Sequence, residues 1–189
     1  MTFSELGLQP ELIKAVGDLG FENCMPVQQE AIPHILFNDI NLVALAQTGT
    51  GKTAAFGLPI IDRIIREGDF AEKNKFNKPS KKLSASEESG KTQALIICPT
   101  RELCIQIAND CKKFAKYVPL LKIVPVYGGA SIETQIKELK KGADIVVATP
   151  GRLIDLLDRK KVRLEEVKYL VLDEADEMLN MGFLDSINE

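Results

Sequence analysis

Residues 46–53 read Ala-Gln-Thr-Gly-Thr-Gly-Lys-Thr, and their types suit the binding of a polyphosphate. Gly49 and Gly51 let the backbone curl so that successive N–H groups point at one anion. A helix beginning at Lys52 adds the partial positive charge of its N-terminus at the same spot. Lys52 can reach the β- and γ-phosphates, and the Thr53 hydroxyl can ligate Mg²⁺. Ala46 stands where the usual pattern has its first glycine, so the loop is a variant. A match this short arises by chance in roughly 1 chain in 100 on average composition. Context must therefore decide between a phosphate loop and an ordinary strand–helix turn.

A second group that could do chemistry is Asp173-Glu174-Ala175-Asp176, which follows the apolar run Tyr169-Leu170-Val171-Leu172. In an open parallel sheet, ligands bind outside the carboxyl ends of the strands. A carboxylate there, Asp173, can hold Mg²⁺ through water opposite Thr53. Glu174 can orient or deprotonate an attacking water. The plain alternative is an acidic helix start, since Asp and Glu favour first turns. Its place after an apolar strand, downstream of a phosphate loop, argues against that alternative.

Two further turns share one design. Pro99-Thr100-Arg101-Glu102-Leu103 and Thr149-Pro150-Gly151-Arg152 each follow a predicted strand and open a predicted helix. Each offers a Thr suited to the N-cap, free N–H groups and an Arg. Such ends bind phosphate, and two of them spaced apart can grip a polyanionic backbone without reading bases. Gly128-Gly129, after the strand ending at Tyr127, lets a third stretch of backbone approach the same chain. Taken singly, each turn reads as plain capping. On one edge of one sheet they read jointly as a nucleic-acid track.

The elements that must position these groups are visible in the hydrophobic pattern. The run Leu42-Val43-Ala44-Leu45-Ala46 has the length and content of a buried strand. Residues 52–66 carry Ala55, Phe56, Ile60, Ile61, Ile64 and Ile65 at helical spacing. Strand, glycine turn, Lys-Thr and helix form the context that identifies a phosphate loop. Upstream, residues 10–19 predict a helix with Pro10 near its start and Gly20 at its end. A second helix begins at Pro26, and Pro33 is expected to kink it. Downstream, strands are expected over 94–98, 122–127, 144–148 and 169–172. Helices are expected over 101–117, 132–139 and 150–158, with another starting at Glu174. Alternating strands and helices predict an α/β fold with a parallel, right-handedly connected sheet. Residues 67–92 break the pattern with six lysines and no apolar period. They read as a mobile surface insertion, a solvated loop before a nucleic-acid contact.

Composition narrows the function classes. A chain of 189 residues suggests one domain with a real core. Its net charge of −3 supplies no bulk field for nucleic acid, so any such binding rests on a few placed groups. No apolar run approaches ~18 residues, and the first eight residues lack a signal-peptide pattern. Cys24, Cys98, Cys104 and Cys111 form no C-x-x-C pair and read as core filling. His34, the single histidine, leaves little for a metal site or a histidine-based triad. The reading is cytoplasmic, with no membrane partner.

The ordered set of motifs resembles the DEAD-box RNA helicases, and the resemblance covers nearly the whole chain. It rests on Phe3, the 20–28 stretch ending in Gln28, A-Q-T-G-T-G-K-T, P-T-R-E-L, Gly128-Gly129, T-P-G-R and D-E-A-D. It implies a RecA-like P-loop NTPase lobe using ATP and Mg²⁺. Ala46, Gln47, Thr48, Gly49, Thr50, Gly51, Lys52 and Thr53 would bind nucleotide. Lys52, Asp173 and Glu174 would serve catalysis, with Thr53 and Asp173 on the metal. Gln28 would read adenine, whose N6 donor and N7 acceptor match a glutamine amide, with Phe21 or Phe3 packing nearby. RNA backbone contacts are implied at Pro99, Thr100, Arg101 and Glu102, at Gly128 and Gly129, and at Thr149, Pro150, Gly151 and Arg152.

Family members carry a Ser-Ala-Thr motif on a further strand, followed by a second RecA-like domain. The 189 residues contain neither. The fold is therefore expected to be incomplete at its C-terminal end. The absent strand would lie between residues 42–46 and 169–172, which are expected to face a gap or to pair directly. Three readings stand at this point: an ATPase lobe of an RNA helicase, a non-catalytic nucleotide- or RNA-binding module, and an unrelated P-loop kinase or GTPase. Gln28 and the paired Thr-Arg turns speak against the last.

Overall fold

The computed structural model describes residues 1–47, 49–67 and 91–183. Thr48 of the predicted phosphate loop and nearly all of the predicted 67–92 insertion lie outside the described residues. The described residues divide between two compact units, one within Met1–Ser80 and Asp110–Leu120, the other within Lys81–Asn109 and Leu121–Glu189.

The first unit is helical because its apolar residues recur at helical spacing. A 3₁₀ turn over Phe3–Leu6 precedes α1 (Pro10–Asp18), which has Pro10 at its first position and buries Leu12, Ala15 and Val16 on one face. Helix α2 (Pro26–Phe37) accommodates Pro33 within its span and packs along α3 (Lys52–Glu67). Leu58, Ile61 and Ile64 of α3 are fully buried, and so is the charged Asp62. Asp62 Oδ2 accepts the backbone N–H of Gln9 at 2.5 Å, and its other oxygen accepts from Arg66 Nε. Arg66 in turn donates to the Gly7 carbonyl at 2.6 Å. A buried carboxylate without such partners would be costly. Here it ties the N-terminal segment to the helix that starts at Lys52.

The second unit is built on a parallel four-stranded sheet. Its strands are β1 (Ala94–Ile97), β2 (Ile123–Val126), β3 (Ile145–Ala148) and β4 (Tyr169–Leu172), in the order β2-β3-β1-β4. Helices α4 (Arg101–Phe114), α5 (Ile132–Lys140), α6 (Pro150–Asp158) and α7 (Ala175–Asn180) connect or follow these strands. β1 and β3 are buried at every position, as β-branched and apolar runs covered on both faces should be. One face packs Leu95, Ile97, Val124, Val126, Val146 and Ala148 against Leu139, Leu153, Leu156 and Met178. No helix among the described residues is long and apolar enough to cross a membrane.

The predicted strand over 42–46 does not form. These residues are irregular and pair with no strand among the described residues. Val43 is 87% and Leu45 97% exposed, against the buried strand that their composition predicts. The reason is physical: an apolar run becomes a strand only where a neighbour takes its N–H and C=O groups. The corresponding edge strand, β4, pairs with β1 alone among the described strands, and its Leu170 is 60% exposed.

Candidate functional site

In the first unit, the residues suited to phosphate lie at the start of α3. Gly49 and Gly51 have φ of +80° and +84°, a conformation that L side chains rarely adopt. The Gly51 carbonyl accepts from the N–H groups of Ala54 and Ala55, both at 3.1 Å, and so opens the helix. Thr50 Oγ1 donates to the Gln47 carbonyl at 2.7 Å, closing a tight turn ahead of it. Ahead of the bonded Ala54 and Ala55 amides, the Lys52 and Thr53 N–H groups stand at the helix start, where an anion can be met. Lys52 and Thr53, half-buried, are the first two residues of α3. Ala46 is half-buried and Gln47 exposed.

Gln28 is only 4% exposed, although a glutamine in a helix would ordinarily face water. Its Oε1 accepts the Met25 N–H at 2.9 Å, and its Nε2 donates to the Gly51 carbonyl at 3.1 Å. One partner is a pure donor and the other a pure acceptor, so the amide orientation is fixed. An amide keeps a second proton on nitrogen and a second lone pair on oxygen. Those can still meet the N6 and N7 positions of adenine. A Cβ on Gly51 would collide with Gln28 Nε2, so only glycine allows this contact.

The two candidate aromatics differ. Phe3 is 3% exposed and belongs to the core, whereas Phe21 is 45% exposed. Residues 1–2 and 23–24 are tied by a bridge between Thr2 and Asn23 and by a hydrogen bond of 3.0 Å from Cys24 N–H to the Met1 carbonyl. Phe3 thus supports the 20–28 stretch from within.

In the second unit, Asp173 leaves the carboxyl end of β4, its N–H held by the Ile97 carbonyl at 2.9 Å. Its side chain is largely buried. Glu174 follows in the left-handed region, with φ 53° and ψ 48°. That backbone costs a non-glycine residue about 1–3 kcal/mol, and such strain gathers at functional sites. Cys98, at the end of β1, is buried beneath them. Its hydrogen bond to Cys104, its burial and the nearby carboxylates of Asp173 and Glu174 all push its thiol pKa up. A raised thiol is less nucleophilic, in keeping with a packing position.

Parts of both Thr-Arg turns come together with Gly128, whereas Thr100 and Gly129 do not line the same groove. Pro99, Arg101, Gly128, Thr149, Pro150, Gly151 and Arg152 line one groove of about 430 Å³, with Phe183 as an apolar wall. Glu102, exposed in the first turn of α4, does not line it. Thr100 caps as expected, its Oγ1 accepting the Leu103 N–H at 3.3 Å. Thr149, which lines the groove, stands at the N-cap of α6 without a side-chain capping bond. The Arg101 guanidinium lies over the Tyr127 ring at 5.3 Å. Gly129 has φ of +76°, and a Cβ there would press on Arg101 Nη1 at 3.2 Å. Arg152 Nη1 donates to Gln135 Oε1 at 3.1 Å and Nη2 to the Ala130 carbonyl at 3.2 Å. The groove thus combines two cations, a glycine and a helix N-terminus, groups chemically suited to a phosphodiester chain.

Sequence reasoning missed Gln135, Tyr127 and Phe183. Gln135 looks like a solvent-facing helical glutamine, and nothing local distinguishes it. Phe183 lies beyond the last motif, so no spacing points to it.

The DEAD/DEAH box helicase family model matches residues 25–189. ATP-dependent RNA helicase DeaD of Haemophilus influenzae is 45% identical over 187 residues, 99% of this chain and 27% of that protein. RNA helicase CrhR of Synechocystis is 48% identical over 186 residues, 98% of this chain and 33% of its own length. A crystal structure of a hypothetical ATP-dependent RNA helicase from Sulfolobus tokodaii superposes with a TM-score of 0.76 at 34% identity. That match covers 95% of this chain and 45% of the other. The chain thus spans about a third or less of the length of these two curated relatives.

Proposed function

The chain belongs to the DEAD/DEAH box helicase family, and on that premise we propose that it is the ATP-binding lobe of an RNA helicase. Such a protein couples ATP binding and hydrolysis to the remodelling of RNA duplexes or ribonucleoproteins. The observation that carries this reading is the hydrogen bond from buried Gln28 to Gly51. It joins a group that can discriminate adenine to the turn that can cradle phosphate, as an ATP site requires.

Within the proposal, residues 46–53 hold the triphosphate, with Lys52 on the β- and γ-phosphates. Gln28 reads the adenine edge, with Phe21 against the ring; Phe3 contributes from the core. Thr53 and Asp173 supply hard oxygen donors suited to Mg²⁺, which would neutralise phosphate charge. Mg²⁺ characteristically keeps several waters and takes substrate phosphates alongside one or two protein oxygens. Glu174 positions and deprotonates the attacking water. The groove of Arg101, Gly128 and Arg152, with Pro99, Thr149, Pro150 and Gly151, takes RNA by its backbone without reading sequence, while Thr100 caps the first turn and Gly129 packs beside Arg101. The RNA contact expected at Glu102 is not part of this groove, which Glu102 does not line. A second RecA-like domain would complete both sites. The four free thiols suit a reducing, cytoplasmic setting.

The test is hydrolysis by the protein encoded by the complete reading frame. ATP turnover is expected to rise on addition of single-stranded RNA, with GTP a poor substitute. Turnover of both nucleotides that ignores RNA would overturn the proposal. For the 189-residue chain alone, the unpaired 42–46 run and the open edge of β4 favour nucleotide or RNA binding without turnover.

A further inference from the structure

Gln135 is 7% exposed, in the first turn of α5, yet every polar atom of its side chain is used. Oε1 accepts the Tyr127 N–H at 3.3 Å and Arg152 Nη1 at 3.1 Å. Nε2 donates to the Tyr127 carbonyl at 3.0 Å. Both backbone groups of Tyr127 are therefore held by one amide, in the manner of a strand neighbour. This happens just where β2 ends and the Gly128-Gly129 pair begins. Arg152 closes a ring on the far side of that pair through the Ala130 carbonyl at 3.2 Å. The Tyr127 ring, held by its backbone, lies under Arg101.

We propose that Gln135 is the positioning residue of the RNA groove, setting Arg152 directly and Arg101 through Tyr127. The proposal rests on the reading of that groove as an RNA site. Gln135 touches no RNA in this scheme. It fixes the cations that do, and the turn of backbone between them.

The residue type follows from electrostatics. A glutamate would accept the same Arg152 hydrogen bond, but as an ion pair that cancels the charge needed for phosphate. It would also set a carboxylate against the Tyr127 carbonyl, where Gln135 now donates. A neutral amide holds the guanidinium and leaves its charge uncancelled. Two of the guanidinium hydrogen bonds go to Gln135 and Ala130, and its other N–H groups can turn to an anion.

The experiment compares Gln135→Ala, Gln135→Glu and Arg152→Ala in the protein encoded by the complete reading frame. A fluorescein-labelled oligouridylate is the probe, titrated at several salt concentrations. RNA-stimulated ATPase gives KM for RNA and for ATP separately, and thermal melts monitor folding. Gln135→Ala and Gln135→Glu are each expected to raise KM for RNA on the order of tenfold, as loss of a phosphate-binding group does. KM for ATP and kcat should stay within about twofold, since neither variant touches the nucleotide. Gln135→Glu should also lower the salt dependence of RNA binding by about one ion, matching Arg152→Ala. A merely structural peg would lower the melting temperature without moving that slope. If Arg152→Ala weakens RNA binding and both Gln135 variants leave it unchanged, the positioning role is wrong. If Arg152→Ala also leaves RNA binding unchanged, the RNA reading of the groove fails, and this inference falls with it.

Discussion

The side-chain amide of Gln28 donates to the Gly51 carbonyl at 3.1 Å, across 23 residues of sequence. The same carbonyl accepts the Ala54 and Ala55 N–H groups that start α3. One carbonyl oxygen thus serves both the Gln28 amide and the start of α3. Replacing Gln28 by Ala should reduce discrimination between ATP and GTP more than it reduces phosphate affinity. Fluorescent-nucleotide titration checks this, and equal affinity of the unmutated protein for ATP and GTP would remove the adenine role.

Gly51→Ala tests the other end of that bond. Its φ of +84° alone should cost about 1–3 kcal/mol, and its Cβ would displace Gln28. Denaturant unfolding should show the loss, and nucleotide affinity should fall with it. Gly151→Ala, at a position with nothing near its Cβ and no positive φ, serves as the tolerated control for stability.

Binding and chemistry should separate at Lys52 and Glu174. Lys52→Ala removes a phosphate contact, so both nucleotide binding and turnover should drop. Glu174→Gln keeps the shape and removes the carboxylate. ATP should still bind, while hydrolysis in the complete protein slows by about 10²–10⁴-fold, the usual worth of general base catalysis. Full ATPase rate in Glu174→Gln would rule out the water-positioning role.

Lys160 offers a stability test remote from either site. It ends α6 with φ of +53°, between hydrogen bonds from its own N–H to Leu157 and from Lys161 N–H to Leu156, both 2.8 Å. This is the position where helices most often place glycine. Lys160→Gly should stabilise the chain by about 1 kcal/mol by relieving left-handed strain. A lower denaturation midpoint in the variant would show that the strain is absent.

The edge of β4 makes a prediction about the 189-residue chain by itself. Leu170 and Leu172, 60% and 38% exposed, lie on a strand that pairs with β1 on one side only among the described residues. Such an edge invites association, and natural edges blunt this with lysine. The chain should self-associate with concentration in sedimentation experiments, and Leu170→Lys should reduce it. A soluble monomer melting cooperatively above about 50 °C, as intact domains do, would contradict this expectation.

How far the sequence reached depends on the range of the forces involved. Helices α1, α3 and α6 follow the predicted spans closely, because their apolar spacing and the prolines near the starts of α1 and α6 act within a few residues. The four strands of the sheet were legible too, since runs such as Ile145-Val146-Val147-Ala148 are apolar throughout and are buried on both faces. The two Thr-Arg turns and Gly128-Gly129 were readable as motifs, and the parallel order of the strands gathers parts of them in one groove. Only the tertiary structure decided the rest. Residues 42–46 look like a buried strand, but being a strand requires a partner for the backbone, and no residue within the run can supply one. Gln28 and Gln135 each look like surface glutamines; Gly51 in the one case, Tyr127 and Arg152 in the other, turn them into buried junctions. Composition sets which groups can form hydrogen bonds, and the packed chain chooses their partners.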